Sequence, residues 1–216
     1  MRFTRYCLIG IAAGLVAVMP VALLAQQPPP AEGDEAAMIA TLQSDAPLFD
    51  KAKACQKLAV IGTKKAVPVL AKLLPEEQLS HYARFGLEPI PDPSVDAALR
   101  ASLEKLDGGL LVGVINSIGM RRDAGAIDDL KGLMQSSDAA VAAAAAAALG
   151  RIATPQAVDI LDSALEGPAS LRPAVADACL TAGDTLLGEG KKDEAAAIYE
   201  AMRQADLAKH LQIAAL

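Results

Sequence analysis

The chain has 216 residues and a formal net charge of −6, and 53% of its residues are hydrophobic, so it can bury one core of ordinary domain size. Aromatic residues make up 3% of the chain and Trp is absent, so that core has to be aliphatic, with Ala and Leu dominating. Ala and Leu favour helices, and strand-favouring residues are scarce after the first 25 positions, which predicts an all-α fold. The acidic balance argues against nucleic acid as the main partner.

Residues 1–25 have the pattern of a secretory signal peptide. Arg2 and Arg5 precede an uncharged run over residues 7–24, and the small Ala25 stands where a signal peptidase would cleave. We predict cleavage after Ala25 and a periplasmic or secreted location. The alternative is that residues 7–24 remain as a membrane anchor, because the run approaches the roughly 20 residues that a membrane span requires.

Residues 26–44 are rich in Pro, Ala and Glu. This composition predicts a solvated, disordered linker between the leader and the folded domain, with a short helix near Met38.

The remainder of the chain repeats a pattern of about thirty residues. Residues 57–74 align without a gap on residues 148–165 and share the following apolar and Thr positions: Leu58, Ile61, Thr63, Ala66, Val67, Leu70 and Leu74 fall on Leu149, Ile152, Thr154, Ala157, Val158, Leu161 and Leu165. A copy over 116–134 keeps Ile118, Gly119, Ile127, Leu130 and Leu133 if three extra turn residues are allowed, and one over 87–103 keeps Leu87, Ile90, Leu99 and Leu103. These spacings predict two helices joined by a short turn in each unit.

The segments IPDPSVDAAL and IATPQAVDIL carry this pattern most plainly, and with them the copies resemble HEAT repeats of the short bacterial form. The resemblance implies a right-handed α-solenoid of about five stacked antiparallel helix pairs over residues 45–216. We place the units at about 45–76, 79–107, 109–135, 137–167 and 170–204, with a partial sixth unit over 206–216. The fifth unit resembles half of a tetratricopeptide unit, with Gly190 at the turn and Ala195 and Tyr199 at packing positions.

Residues that could carry chemistry are sparse in the sequence. His81 and His210 lie about four repeats apart, and no Cys or His pair has metal-ligand or haem-attachment spacing. We therefore predict no catalytic, cofactor-binding or metal site, and no enzyme. The function we expect is an extracytoplasmic scaffold or adaptor for a protein partner. The alternatives are a HEAT-like lyase or chaperone for a prosthetic group, and the repeat region of a larger exported enzyme or haem protein.

Pairs of basic residues recur at the predicted turns of units one, three and five. They are Lys64 and Lys65, Arg121 and Arg122, and Lys191 and Lys192. Cations are favourable at helix C-termini, where they meet the negative end of the helix dipole. Alternatively, the pairs form a basic ladder along one edge that binds an anionic partner. His81 and Arg84 add a polar cluster in unit two, either as ordinary surface residues or as further partner-binding residues.

Cys55 and Cys179 follow the leader and lie several predicted units apart. A disulfide requires Cα atoms within about 7 Å, so we expect no bridge between them and predict that both are small buried hydrophobes.

Overall fold

The computed structural model describes residues 32–205, 207, 209, 213 and 215. This part of the chain contains eleven α-helices and no strand. The helices are α1 Glu32–Gln43, α2 Leu48–Ile61, α3 Val67–Ala71, α4 Ser80–Leu87, α5 Pro93–Arg100, α6 Gly108–Arg121, α7 Ile127–Leu133, α8 Ala139–Ile152, α9 Pro155–Leu165, α10 Arg172–Gly188 and α11 Lys192–Gln204; a 3₁₀ turn, Ala124–Ala126, precedes α7. The predicted all-α class is confirmed.

Ten of these helices form five consecutive pairs, from α2 and α3 to α10 and α11. We call the first helix of each pair its A helix and the second its B helix. Each A helix contacts the A helix of the next pair, and among the B helices α3 contacts α5, α7 contacts α9 and α9 contacts α11. The pairs therefore stack in two layers, which is the α-solenoid that the repeat predicted.

The aliphatic core runs through all five pairs, and equivalent positions of the repeat fill it. Leu58, Leu87, Ile118 and Leu149 are fully buried near the ends of their A helices, and Leu70, Leu99, Leu130 and Leu161 are buried in the B helices. In this register the third copy matches the others without an insertion, so the three extra turn residues that we predicted are wrong. The reason is that α6 ends at Arg121 as α2 ends at Ile61, which sets Ile118 level with Leu58.

The turn before each B helix of the first four pairs contains a polar residue whose side chain binds the backbone. Thr63, Asp92, Asp123 and Thr154 accept hydrogen bonds from backbone N–H groups of Lys65, Ser94, Gly125 and Ala157, respectively, at 2.9–3.3 Å. Asp92 and Thr154 are the N-caps of α5 and α9, so their oxygens satisfy donors that have no partner within the helix. Thr63 lies four residues before α3, and Asp123 caps the 3₁₀ turn that precedes α7.

Glycine and alanine let successive A helices approach closely. A Cβ atom on Gly119 would lie 2.8 Å from the Cα atom of Ala148, and one on Gly150 would lie 2.4 Å from the carbonyl oxygen of Ala178. Most of the alanine run 142–148 is buried between α6 and α10, the interior position that its small side chains predict. Small residues thus set the spacing of the A layer.

Helix α1 over residues 32–43 contains Met38, so the helix predicted there is confirmed, but it takes up most of the described part of the segment predicted to be a disordered linker. The helix is held against the first pair because the buried Glu35 carboxylate accepts hydrogen bonds from the Thr63 N–H at 2.6 Å and the Thr63 hydroxyl at 2.9 Å. Leu42 is buried, whereas Asp34 and Gln43 are exposed. A solenoid needs such a terminal element with a polar outer side to cover its first apolar unit.

The signal peptide, residues 26–31 of the linker and most of the partial unit 206–216 lie outside the described residues. Of that last unit, Leu207 and Ala215 are buried and Ile213 is exposed. None of the described helices combines the length and apolar character that crossing a bilayer demands.

Candidate functional site

Arg121, a predicted partner-binding residue, is occupied by contacts within the fold. Its Nε donates to Asp96 Oδ1 at 2.5 Å, and its Nη1 donates to the carbonyl oxygens of Glu88 at 2.7 Å and Ile90 at 2.8 Å. Its side chain is 12% exposed. Arg121 therefore joins the third pair to the turn of the second, and a partner would have to break these contacts to reach its charge.

Arg122 and Lys191 meet at the same carboxylate. Arg122 Nη1 contacts Glu189 Oε1 at 2.6 Å, and Lys191 Nζ contacts Glu189 Oε2 at 2.9 Å. Arg122 also donates to the carbonyl oxygen of Ile152 at 3.2 Å, so it links the ends of α6, α8 and α10. Hydrogen bonds from Lys191 and then Arg122 hold the pKa of Glu189 below its usual value.

The remaining turn lysines Lys64, Lys65 and Lys192 are exposed. The six turn residues are thus unequal, because Arg121 is enclosed and Arg122 and Lys191 share one acid. Binding of an anionic partner by this set stays a prediction, and the exposed lysines are the members that a partner reaches first.

Arg84 of the predicted polar cluster lies across Gly113 of the next A helix. Its Nη1 donates to the Gly113 carbonyl oxygen at 3.2 Å, and a Cβ atom on Gly113 would lie 2.8 Å from the Arg84 Cζ atom. Burial lowers the pKa of Arg84, while the Glu88 carboxylate opposes that shift. His81 is exposed, and its ring meets the Tyr82 ring edge-on at 5.7 Å between centroids. Arg84 is therefore a packing residue, whereas His81 is open to solvent.

A cluster of exposed apolar side chains that sequence reasoning missed lies on the first three A helices. Val60 of α2 is 82% exposed, Phe85 of α4 is 50% exposed and Met120 of α6 is 62% exposed. Together with Ala59 and Pro89 they line a groove of about 420 Å³, to which Glu88 and Arg121 also contribute. We call this the apolar groove.

The sequence did contain a signal for the apolar groove. Val60, Pro89 and Met120 lie two residues after Leu58, Leu87 and Ile118, respectively. The latter three are equivalent buried positions of the repeat. Equivalent positions of stacked units form a row across a solenoid. The insertion wrongly assumed in the third copy shifted Met120 out of this row, which hid the pattern.

The exposed sides of the A helices, which we call the A face, change in charge from one end of the stack to the other. α2 exposes Lys53 and Lys57, whereas α10 exposes Asp177 and Asp184. Between them, the outer positions of α6 and α8 are mainly small or neutral: Gly109, Val112, Asn116, Ala140, Ala143 and Ala147. Within residues 32–205, every large apolar side chain that is exposed lies on an A helix.

The two cysteines lie in the core and are free thiols, as predicted. Burial raises the pKa of Cys55 to about 11 and that of Cys179 to about 12, and the Asp162 charge adds to the latter shift. Both thiols therefore stay protonated at neutral pH, which makes them poor nucleophiles.

Within the described part of the chain, no group of three or more His, Cys, Asp or Glu side chains is arranged to hold a metal ion. His210, the second histidine of the sequence, lies outside that part.

Comparison with known proteins gives a match to one family. Residues 91–180, from the turn before α5 into α10, match the family model for HEAT repeats. HEAT repeats usually mediate protein–protein interaction, and the fold is typically a non-catalytic scaffold. Most of the fifth pair, for which we predicted a tetratricopeptide-like unit, lies beyond this match, so that prediction remains a prediction.

One solved structure similar to this chain is the crystal structure of an engineered protein from the Northeast Structural Genomics Consortium. The two share 19% sequence identity over 84% of this chain and 93% of the other, with a TM-score of 0.50. At this identity the likeness concerns the fold alone. The search of curated proteins found no match.

Proposed function

We propose that this chain is an extracytoplasmic scaffold that binds a protein partner on its A face and has no catalytic activity of its own. The observation that carries the proposal is the apolar groove, where Val60, Phe85 and Met120 are half to four-fifths exposed in one place. Single exposed apolar residues are ordinary on protein surfaces, but a contiguous apolar patch with a polar rim marks an interaction site.

The composition of the apolar groove supports protein binding. Interfaces have a core depleted of charge and a polar rim. The groove has the same anatomy, with Val60, Phe85 and Met120 exposed in it and the exposed Lys57 one turn before Val60 on α2. Burying each large side chain of the groove stabilises a complex by roughly 1.5–3 kcal/mol, so the three together supply a useful part of a binding free energy.

The residues that could take part in catalysis are held in contacts within the fold or buried in its core, which supports a scaffold rather than an enzyme. Arg84 and Arg121 bind carbonyl groups of neighbouring helices, and the pKa values of Cys55 and Cys179 are raised by burial. A nucleophilic cysteine needs a lowered pKa or a base within reach.

The groove is tested by replacing Val60, Phe85 and Met120 together with Ser. We expect partner recovery from the envelope fraction, after chemical crosslinking, to fall at least about tenfold, since three apolar anchors are lost. Leu187→Ser is the matched control, because Leu187 is also 48% exposed on an A helix but lies on α10, outside the groove. Unchanged recovery by the triple variant, with its thermal melt unaltered, would rule out the groove as the binding site.

The location is tested by N-terminal sequencing of the protein after fractionation. Removal of the leader predicts that the exported chain starts at Gln26. A start at Met1 would instead indicate a chain that remains anchored through residues 7–24. Recovery in the cytoplasmic fraction would contradict the extracytoplasmic assignment.

A further inference from the structure

The following inference rests on the proposed function and concerns the kind of protein segment that binds in the apolar groove. We infer that the apolar groove takes an acidic amphipathic segment of a protein, whose apolar side chains enter the groove and whose carboxylates pair with Lys53 and Lys57. Charge complementarity on the A face carries this inference.

Lys53, Lys57 and Val60 lie on one exposed stripe of α2. Their spacings of four and three residues place them on successive turns of the helix, each about 5.4 Å apart along the axis. If a partner segment buries an apolar side chain beside Val60, its residues over the two preceding turns of α2 therefore lie within reach of the ammonium groups of Lys57 and Lys53.

These two lysines have no carboxylate partner among the described residues. Lys53 Nζ lies 4.5 Å from the centre of the Phe49 ring, and Lys57 is exposed. By contrast, Arg100, Arg121 and Arg122 all pair with acids of the fold. The charges of Lys53 and Lys57 are therefore available to a ligand without loss of an existing ion pair.

Two acids lie near this site, Asp50 on α2 and Glu88 in the groove, and neither forms an ion pair with Lys53 or Lys57 in the described part of the chain. Asp50 is exposed in the first turn of α2. Glu88 lines the groove, and its Oε1 accepts a hydrogen bond from the buried Ser117 hydroxyl at 2.6 Å. Glu88 is thus held toward α6. Lys57 and Lys53 lie one and two turns before Val60 on α2.

The acids at the α10 end of the A face determine over which helices the acidic part of the bound segment lies. Asp177 and Asp184 of α10 repel carboxylates, so the acidic part of the partner has to lie over α2. The same acids disfavour an anionic membrane as the ligand, because a flat lipid surface in contact with the whole A face would meet α10 as well as α2. A protein segment avoids this conflict by covering α2, α4 and α6 only.

The test pans a displayed library of random 15-residue peptides against the purified exported chain. Three forms are compared: the unmodified chain, the Lys53→Glu/Lys57→Glu variant, and the Lys72→Glu/Lys105→Glu variant as control. Lys72 and Lys105 are exposed beyond the ends of B helices α3 and α5, so the control has the same net charge on the other layer. Vesicles of phosphatidylglycerol and phosphatidylethanolamine form a separate arm.

We expect the unmodified chain and the control to enrich peptides that combine Leu, Ile or Phe at helical spacing with clustered Asp and Glu. A selected acidic peptide should bind the Lys53→Glu/Lys57→Glu variant about tenfold more weakly, because two charge pairs become repulsive. Added salt should weaken binding to the unmodified chain.

Three outcomes of the panning would overturn the inference: enriched peptides without an acidic bias, no enriched peptide at all, or an equal loss of peptide binding in both double variants. Vesicle binding that the Lys53→Glu/Lys57→Glu variant abolishes would also overturn it. The proposed function is judged separately. If crosslinking at the groove still recovers a protein while the lysine reversal leaves peptide binding unchanged, the proposed scaffold function is supported and the inference of an acidic partner is contradicted.

Discussion

At the scale of single residues, Gly150 decides how closely two A helices approach. Gly150→Ala would place a methyl group against the Ala178 backbone, which cannot rotate away as a side chain can. We expect the free energy of unfolding to fall by about 1–3 kcal/mol, measured by urea denaturation followed by circular dichroism.

Gly132 of α7 is the matched control, since nothing lies within 4 Å of a Cβ atom built there. Gly132→Ala should raise the free energy of unfolding by up to about 1 kcal/mol, because Ala favours the helix. If both variants are equally stable, close backbone contact does not define the A layer.

Cys55 and Cys179 give a second prediction at this scale. The pKa values of Cys55 and Cys179, about 11 and about 12, lie above the usual value of 9.0, so less thiolate is present at pH 8 than for an ordinary cysteine. We expect N-ethylmaleimide to label the folded protein at least roughly a hundredfold more slowly than the denatured protein, as followed by mass spectrometry. Rapid labelling without denaturant would mean that the two thiols are not in a closed core.

Burial of the repeat leucines could be predicted from sequence, because spacing alone places Leu58, Leu70 and their equivalents on the inner sides of two helices. The roles of Arg84 and Arg121 could not. Their acceptors are mainly backbone carbonyl groups of another helix or turn, and a sequence does not show which carbonyl groups a long side chain reaches in the fold.

At the scale of helices, Arg121 joins α6 to the turn between α4 and α5. Arg121→Ala would leave the Asp96 carboxylate and the Glu88 carbonyl group without the hydrogen bonds of Arg121, so we expect the free energy of unfolding to fall by about 3 kcal/mol. Arg121→Lys should restore little of it, since an ammonium group cannot match the planar fork of the guanidinium.

Lys192→Ala serves as the comparison for this prediction, because Lys192 is an exposed member of the same predicted set. Its unfolding free energy should stay within about 0.5 kcal/mol of the parent protein. Equal effects at both positions in chemical denaturation would show that Arg121 is an ordinary surface cation.

Helix α1 is longer than the short helix that the sequence predicted near Met38. Its segment has the acids, glycine and small residues that are typical of a linker, and no strong apolar periodicity announces a helix. Contacts of Glu35 with Thr63 and burial of Leu42 hold it on the first pair. Tertiary contacts rather than intrinsic propensity therefore stabilise this helix.

At the scale of the whole described domain, the two layers differ in what they expose. The A layer is close-packed at Gly119 and Gly150 and carries the exposed Val60, Phe85 and Met120. The B layer also leaves grooves between its helices, one of about 570 Å³ between α7 and α9, but exposes no large apolar side chain within residues 32–205. The repeat predicted the stack from sequence, but which layer exposes large apolar side chains emerges only when exposed positions of successive pairs are compared in space.

The most direct test of the account is a map of where the partner touches the solenoid. A photo-crosslinking amino acid is placed singly at Phe85 and Met120 on the A face, and at Lys131 and Ser163, which are exposed on B helices α7 and α9. We predict crosslinked partner at the two A positions and none at the two B positions. Crosslinks confined to the B positions, or absent from all four, would contradict protein binding on the A face.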